Sequence, residues 1–200
     1  MIDKEMTTFD FGFGPVPAHQ HPNGGGWVAD TAKVVETAYV GPDALVYGNA
    51  QVLDNAQVYC NAKVLDNAIV SDNAQLFDNA EVFGNAEVFG NAKVYGKAQV
   101  FGYAEVYGNA KVYGKAQVFG NAEVYGNAEV YGKSWVSGYA LVYGKARVSG
   151  YALVYDHAEV SDNAFVSGYA RVSDDVEDDD TSEDIFIEMN GKRYKLVEVA

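Results

Sequence analysis

The stretch Ala98-Gln99-Val100-Phe101-Gly102-Tyr103-Ala104-Glu105-Val106-Tyr107-Gly108-Asn109-Ala110 repeats one six-residue unit, A-x-V-x-G-x, and the chain extends it in both directions. Every sixth residue from Val28 to Val172 is Val, with Leu76 the sole exception, and every sixth residue from Ala32 to Ala170 is Ala, with Ser134 the sole exception. A fixed period of this kind is the signature of a repeat architecture. Side chains two apart on a strand face the same side, so the Ala and the following Val both point inward and their neighbours point out. Six residues are too few for a helix pair and do not fit a heptad, but they suit one flat side plus a turn. Three sides make an 18-residue coil. The expected fold is therefore all-β: a single-stranded parallel β-solenoid of about eight coils, roughly 40 Å long.

Turning the chain every six residues calls for a residue that tolerates left-handed backbone geometry, Gly or Asn before others. Each corner from Gly48-Asn49 to Gly168-Tyr169 holds one or both, except Asp156-His157. Where the first corner residue is Asp54, Cys60, Asp66, Asp72, Asp78 or Asp162, the second is Asn; where the second is Lys or Tyr, the first is Gly. The pattern predicts that Asn takes over the left-handed role wherever Gly is missing.

With this repeat, the chain resembles the hexapeptide-repeat superfamily over residues 28–173, on the match of an aliphatic residue to a small residue four places later, as in Val124-Tyr125-Gly126-Asn127-Ala128. The resemblance implies a three-sided left-handed parallel β-helix, and together with the aromatic columns described below it implies a homotrimer. The opening run Asn23-Gly24-Gly25-Gly26-Trp27-Val28 looks like the start of bacterial and phage-encoded hexapeptide proteins, some of them labelled acetyltransferases.

Outside the repeat, residues 1–27 read as an N-terminal cap, 174–184 as an acidic linker and 185–200 as a C-terminal β-hairpin. The hairpin signal is Asn190-Gly191 between two apolar-alternating runs, a two-residue turn that sets Ile187 opposite Tyr194 and Glu188 opposite Arg193. An isolated two-stranded hairpin is marginal in water, so it is expected to dock on the last coil or on another protein.

Formal net charge is −14. Residues 174–184 carry eight acids and no base, more than half of that excess. Direct binding to nucleic acid or an anionic membrane is disfavoured, since phosphate neutralisation needs clustered Lys and Arg. Cys60 is the single cysteine, so no internal disulfide forms, and a reducing cytoplasm suits the chain, or a virion if it is phage-encoded. Neither a signal peptide nor a membrane-spanning apolar run is visible.

Catalytic residues are hard to place. Hexapeptide acyltransferases use a histidine at an inter-subunit cleft to take acyl groups from CoA donors, but here the repeats run without the loop that shapes such a cleft. His157 is the only histidine in the solenoid and sits at a corner beside Asp156, a weak catalytic candidate. A zinc site of the γ-carbonic-anhydrase type needs three histidines from neighbouring coils. His19 and His21 form a weak metal pair in the cap. No cofactor is expected.

The outer surface is more informative. An 18-residue coil puts Glu87, Glu105 and Glu123 in one column and Lys97, Lys115 and Lys133 in a corner column. It also stacks Phe83, Phe101 and Phe119, and Tyr95, Tyr113 and Tyr131. The last coils expose Trp135, Leu141, Leu153 and Phe165 before Val and place Tyr139, Tyr151 and Tyr169 at corners, near Ser137, Ser149 and Ser167. These seven apolar residues are the expected binding patch. A non-enzymatic structural or protein-interaction module is the leading expectation. An acetyl-CoA-dependent acyltransferase and an acidic nucleic-acid mimic that inhibits a host protein are the alternatives.

Overall fold

The structure, a computed structural model, describes residues 7–174 together with the backbone of strands Ile185–Met189 and Lys192–Leu196. From Trp27–Ala29 to Arg171–Val172 the chain makes 25 short strands. They sort into three sheets, and every strand pairs in parallel with the strands one coil away. Val100, for instance, lies between Val82 and Val118, each 18 residues distant. We call the sheet holding Val100 face one, the sheet holding Glu105–Val106 face two and the sheet holding Lys111–Val112 face three, in the order the chain visits them. The expected three-sided solenoid of about eight coils is what forms. No described residue is helical, so none belongs to a helix long and apolar enough to cross a membrane.

The reason lies in the interior. Val and Ala of each unit are buried from Ala38 to Val160 and fuse into one core running the length of the rod. Each fully buried Val contributes about 1.5–3 kcal/mol relative to an exposed one, and repetition makes up for the small size of the side chains. The two exceptions to the repeat fit without harm. Leu76 is fully buried in line with Val58 and Val94. Ser134 is fully buried, with its hydroxyl donating to the Tyr131 carbonyl at 2.8 Å, so the buried hydroxyl has a partner.

At the corners the expectation about Asn is corrected. The residue with positive φ is always the first of the pair: Gly in most coils, and Asp54, Cys60, Asp66, Asp72, Asp78, Asp156 or Asp162 elsewhere, with φ between 55° and 61°. Asn in the second place does not take the left-handed role. Asp tolerates this region better than most residues, and it has a further use here. The carboxylates of Asp66, Asp72 and Asp78 accept the backbone N–H of Gly84, Gly90 and Gly96 one coil on, at 3.1, 2.9 and 3.1 Å. The following Asn side chains form their own ladder, as from Asn49 to Asn67 at 3.3 Å and Asn67 to Asn85 at 3.2 Å.

The first coil would expose unpaired strand edges, a template for polymerisation. Thr8–Asp10 pairs antiparallel with Pro15–Gln20, which pairs antiparallel with Trp27–Ala29 and so extends face one. The loop 21–26 closes the edge of face three: Gly26 N–H donates to the Val40 carbonyl, Val40 N–H to the Asn23 carbonyl and the Asn23 amide to the Ala38 carbonyl. Phe9 stacks on Trp27 at 4.6 Å and Phe11 packs at a tilt against Tyr47 at 5.0 Å, giving this cap a small core of its own. At the other end, the hairpin strands pair in the expected register, Ile187 with Tyr194 and Glu188 with Arg193. Its second strand lies beside Arg171–Val172. The Asn190-Gly191 turn and most of the acidic linker fall outside the described residues.

Candidate functional site

Coil stacking turns every outward position into a column. Residues after each Val form three aromatic columns: Phe83, Phe101 and Phe119 with centroids 4.8 and 4.9 Å apart; Phe89, Tyr107, Tyr125 and Tyr143; and Tyr59, Phe77, Tyr95, Tyr113 and Tyr131. The rings lie nearly parallel and half-buried against each other. Much of their apolar surface is thus spent within the chain.

Residues before each Val form polar ladders. On face one, Lys63 donates to Glu81 at 3.2 Å, Gln99 to Glu81 at 3.0 Å and Gln117 to Gln99 at 2.9 Å. On face three, Lys111 pairs with Glu129 at 2.9 Å, and the Tyr113 phenol is pushed up to about 12 by burial and by the neighbouring Glu129 carboxylate. On face two, Glu87, Glu105 and Glu123 stand in line. Burial holds the Glu105 carboxyl above its usual value, and Glu123 and Glu87 add to this. Tyr107 partly offsets the column by donating its hydroxyl to Glu123 at 2.8 Å. That bond, burial foremost, raises the Tyr107 phenol well above the ordinary range.

The ladder on face one ends at Trp135. Trp135 and Leu153 are adjacent rungs of that face. Together with Lys115, Lys133 and Tyr151 they line an open groove of about 450 Å³. Lys133 donates to the Tyr151 hydroxyl at 2.7 Å and sits 4.6 Å above its ring centroid. The ammonium holds the Tyr151 phenol below its usual value. Tyr169 stacks on Tyr151 at 4.9 Å and continues the wall.

The seven residues of the expected patch are distributed around the rod. Trp135, Leu153, Tyr151 and Tyr169 lie together. Tyr139 is at the far corner of face one, its ring stacked on His157 at 5.0 Å. Leu141 belongs to face two and Phe165 to face three, where Arg147 covers it at 5.1 Å. Leu141 and Leu153 are half-buried, and Ser149 is buried rather than at a rim. Six-residue spacing makes neighbours in sequence neighbours around the rod, so a run of apolar residues is spread over three sides. What sequence reading missed was Lys133 and Lys115 as walls of the groove; their offsets of one and two 18-residue coils from Tyr151 carried that signal.

The histidines are placed individually. His157 is exposed, with its ring on Tyr139 and its backbone N–H donating to Asp174 at 2.9 Å. His19 Nδ1 lies 2.8 Å from Asp30. His21 is buried, its Nδ1 3.2 Å from the Asn23 carbonyl oxygen. The structure thus separates His19 from His21, because the one faces solvent and the other the cap loop. Among the described residues no three His, Cys, Asp or Glu side chains converge as a metal site would require. Cys60 is free and exposed. Hairpin side chains lie outside the described residues.

Comparison of the chain with models of known protein families, with curated proteins and with solved structures finds no match.

Proposed function

We propose that this chain is a non-enzymatic structural and protein-interaction module whose last three coils present the partner-binding surface. One observation carries the reading. Of the seven large apolar side chains exposed among the described residues, five lie in the last coils, Trp135, Tyr139, Tyr151, Phe165 and Tyr169, and of these Trp135, Tyr151 and Tyr169 lie together at the groove. In the middle coils the aromatic residues other than Tyr103 stack on one another instead. Trp135 at 46% and Tyr151 at 45% exposure flank a groove with a Leu153 floor and Lys133 on its wall. Tryptophan and tyrosine beside a pocket are the side chains that most often anchor a protein partner. The hairpin offers a second surface at the same end, next to Arg171–Val172.

The test compares wild-type chain with Trp135→Lys/Leu153→Lys as bait for partners from the native host, identified by mass spectrometry. Partner capture is expected to fall at least tenfold while circular dichroism is unchanged; equal capture by both baits refutes the assignment. Titration of wild-type chain with CoA and acetyl-CoA is expected to release no heat, and measurable saturable heat would favour acyl transfer.

A further inference from the structure

The coils sort charges by direction around the rod. Lys97, Lys115 and Lys133 occupy the corner between face three and face one, all exposed, with Lys93 and Lys111 beside them on face three. Glu87, Glu105 and Glu123 stand on face two. In a three-sided rod, the corner between two sides points away from the third. The lysine and glutamate columns therefore face opposite directions. Lys111 is neutralised within the chain by Glu129. Among the described residues no ion pair is formed by Lys97, Lys115, Lys133, Glu87, Glu105 or Glu123; Lys133 is tied only to the Tyr151 ring and hydroxyl.

The spacing matters as much as the sign. Both columns are built from residues one coil apart, so both carry one charge per coil rise, about 4.8 Å. Any two such rods laid side by side have matching pitch. Each column is also uniform along its length, so the match holds whether the rods run parallel or antiparallel.

We propose that a second copy of this chain binds laterally, its Lys97–Lys115–Lys133 corner laid along the Glu87–Glu105–Glu123 column of the first. The contact relieves repulsion in both columns at once. The Glu105 carboxyl, held up by burial and by its like-charged neighbours, gains an opposite charge. Because the two surfaces differ, the contact is heterologous, and because they point in opposite directions it does not close into a ring. The assembly is an open row of rods rather than the homotrimer that the family resemblance implies. Each exposed ion pair contributes little, so the association is weak and depends strongly on salt.

Sedimentation velocity on the full chain tests this. At low salt the sedimentation coefficient is expected to rise continuously with concentration, and to fall to the monomer value in about 1 M salt, where the screening length drops to about 3 Å. Lys97→Glu/Lys115→Glu/Lys133→Glu and Glu87→Lys/Glu105→Lys/Glu123→Lys are each expected to sediment as monomers, and an equimolar mixture to associate again. Circular dichroism confirms folding of each. A milder variant, Lys97→Gln/Lys115→Gln, keeps the Lys133–Tyr151 contact and is expected to weaken association at least threefold. Trp135→Ala/Leu153→Ala, which keeps Lys115 and Lys133 and adds no charge beside them, is expected to associate like wild type, so that the lysine column is tested apart from the apolar side chains of the groove it borders. A wild-type chain that stays monomeric at low salt, a closed trimer of fixed mass, association indifferent to salt or to Lys97→Gln/Lys115→Gln, or two folded charge-reversed variants that fail to combine would each overturn the proposal.

Discussion

The middle coils, around Glu81 to Tyr131, and the last coils, from Trp135 to Val172, share an interior and differ outside. Both place Val in the same inward column, as in the pairing of Val118, Val136, Val154 and Val172. In the middle, apart from the glutamate and corner lysine columns, outward residues largely satisfy one another through stacked rings, amide ladders and the Lys111–Glu129 pair. In the last coils Trp135 meets Phe119 only edge-on at 6.2 Å, and Tyr151, Tyr169 and Phe165 are open to solvent. The interior admits one solution per coil, whereas the exterior is free to differ. That is why function is sought outside and at one end.

The largest expected effect separates the two regions by their neighbours. Val124 is fully buried between Val106 and Val142, whereas Val166 lies in the last strand of its face and is 5% exposed. An unpaired charge inside a protein costs several kcal/mol. Val124→Asp is expected to abolish cooperative unfolding monitored by circular dichroism. Val166→Asp is expected to leave a cooperative transition and to loosen only the end, seen as faster hydrogen exchange there. Equal damage from both would mean that the end is as tightly held as the middle.

A smaller effect comes from the corners. Gly114 and Gly168 both have positive φ, 75° and 69°. A Cβ at Gly114 would lie 3.0 Å from the backbone nitrogen of Gly132, whereas at Gly168 it would meet nothing within 4 Å. Gly168→Ala should cost about 1–2 kcal/mol, the left-handed penalty alone. Gly114→Ala should cost clearly more, since a neighbouring coil must shift. Urea midpoints of the two variants decide it; similar midpoints would show that coils slide apart easily.

The smallest expected effect concerns charge in the middle coils. The Glu105 carboxyl titrates above its usual 4.5 because of burial and of Glu123 and Glu87. A carboxylate with a raised folded value holds its proton longer in the native state, so stability falls as pH rises through and above 4.5 toward that raised value. Glu105→Gln is expected to stabilise dilute protein at about pH 7 by roughly 0.2–1 kcal/mol, and to make no difference at about pH 3, where the carboxyl is protonated in both states. Thermal melts at the two pH values measure this; destabilisation at neutral pH would show that Glu105 is held by a partner.

Much of this was open to reading from residues alone. The run Ala98-Gln99-Val100 and its repeats prescribe which side chains turn inward, because a strand alternates faces and a coil of 18 brings like positions together. The stacks of Phe101 and Tyr113 and the columns of Glu105 and Lys115 follow from the same arithmetic. The groove did not follow so directly: Tyr151 and Lys133 are 18 residues apart, yet what joins them is an ammonium and a hydroxyl meeting along their shared corner. Residues such as Leu141 and Phe165 looked like members of one patch because they are close in sequence.

By itself, then, the sequence determined coil length, core and columns, since each is a direct consequence of a period and of the alternation of side chains along a strand. Tertiary structure decided the rest. It put the left-handed conformation on the first corner residue, whether Gly, Asp or Cys60, and left Asn in the second place to ladder with the Asn of the next coil. It folded Pro15–Gln20 back along Trp27–Ala29 as an antiparallel cover and buried His21 beneath it. It also set lysines and glutamates on opposite sides, because direction around the rod depends on the order in which three faces close, and that order exists only once the chain has coiled.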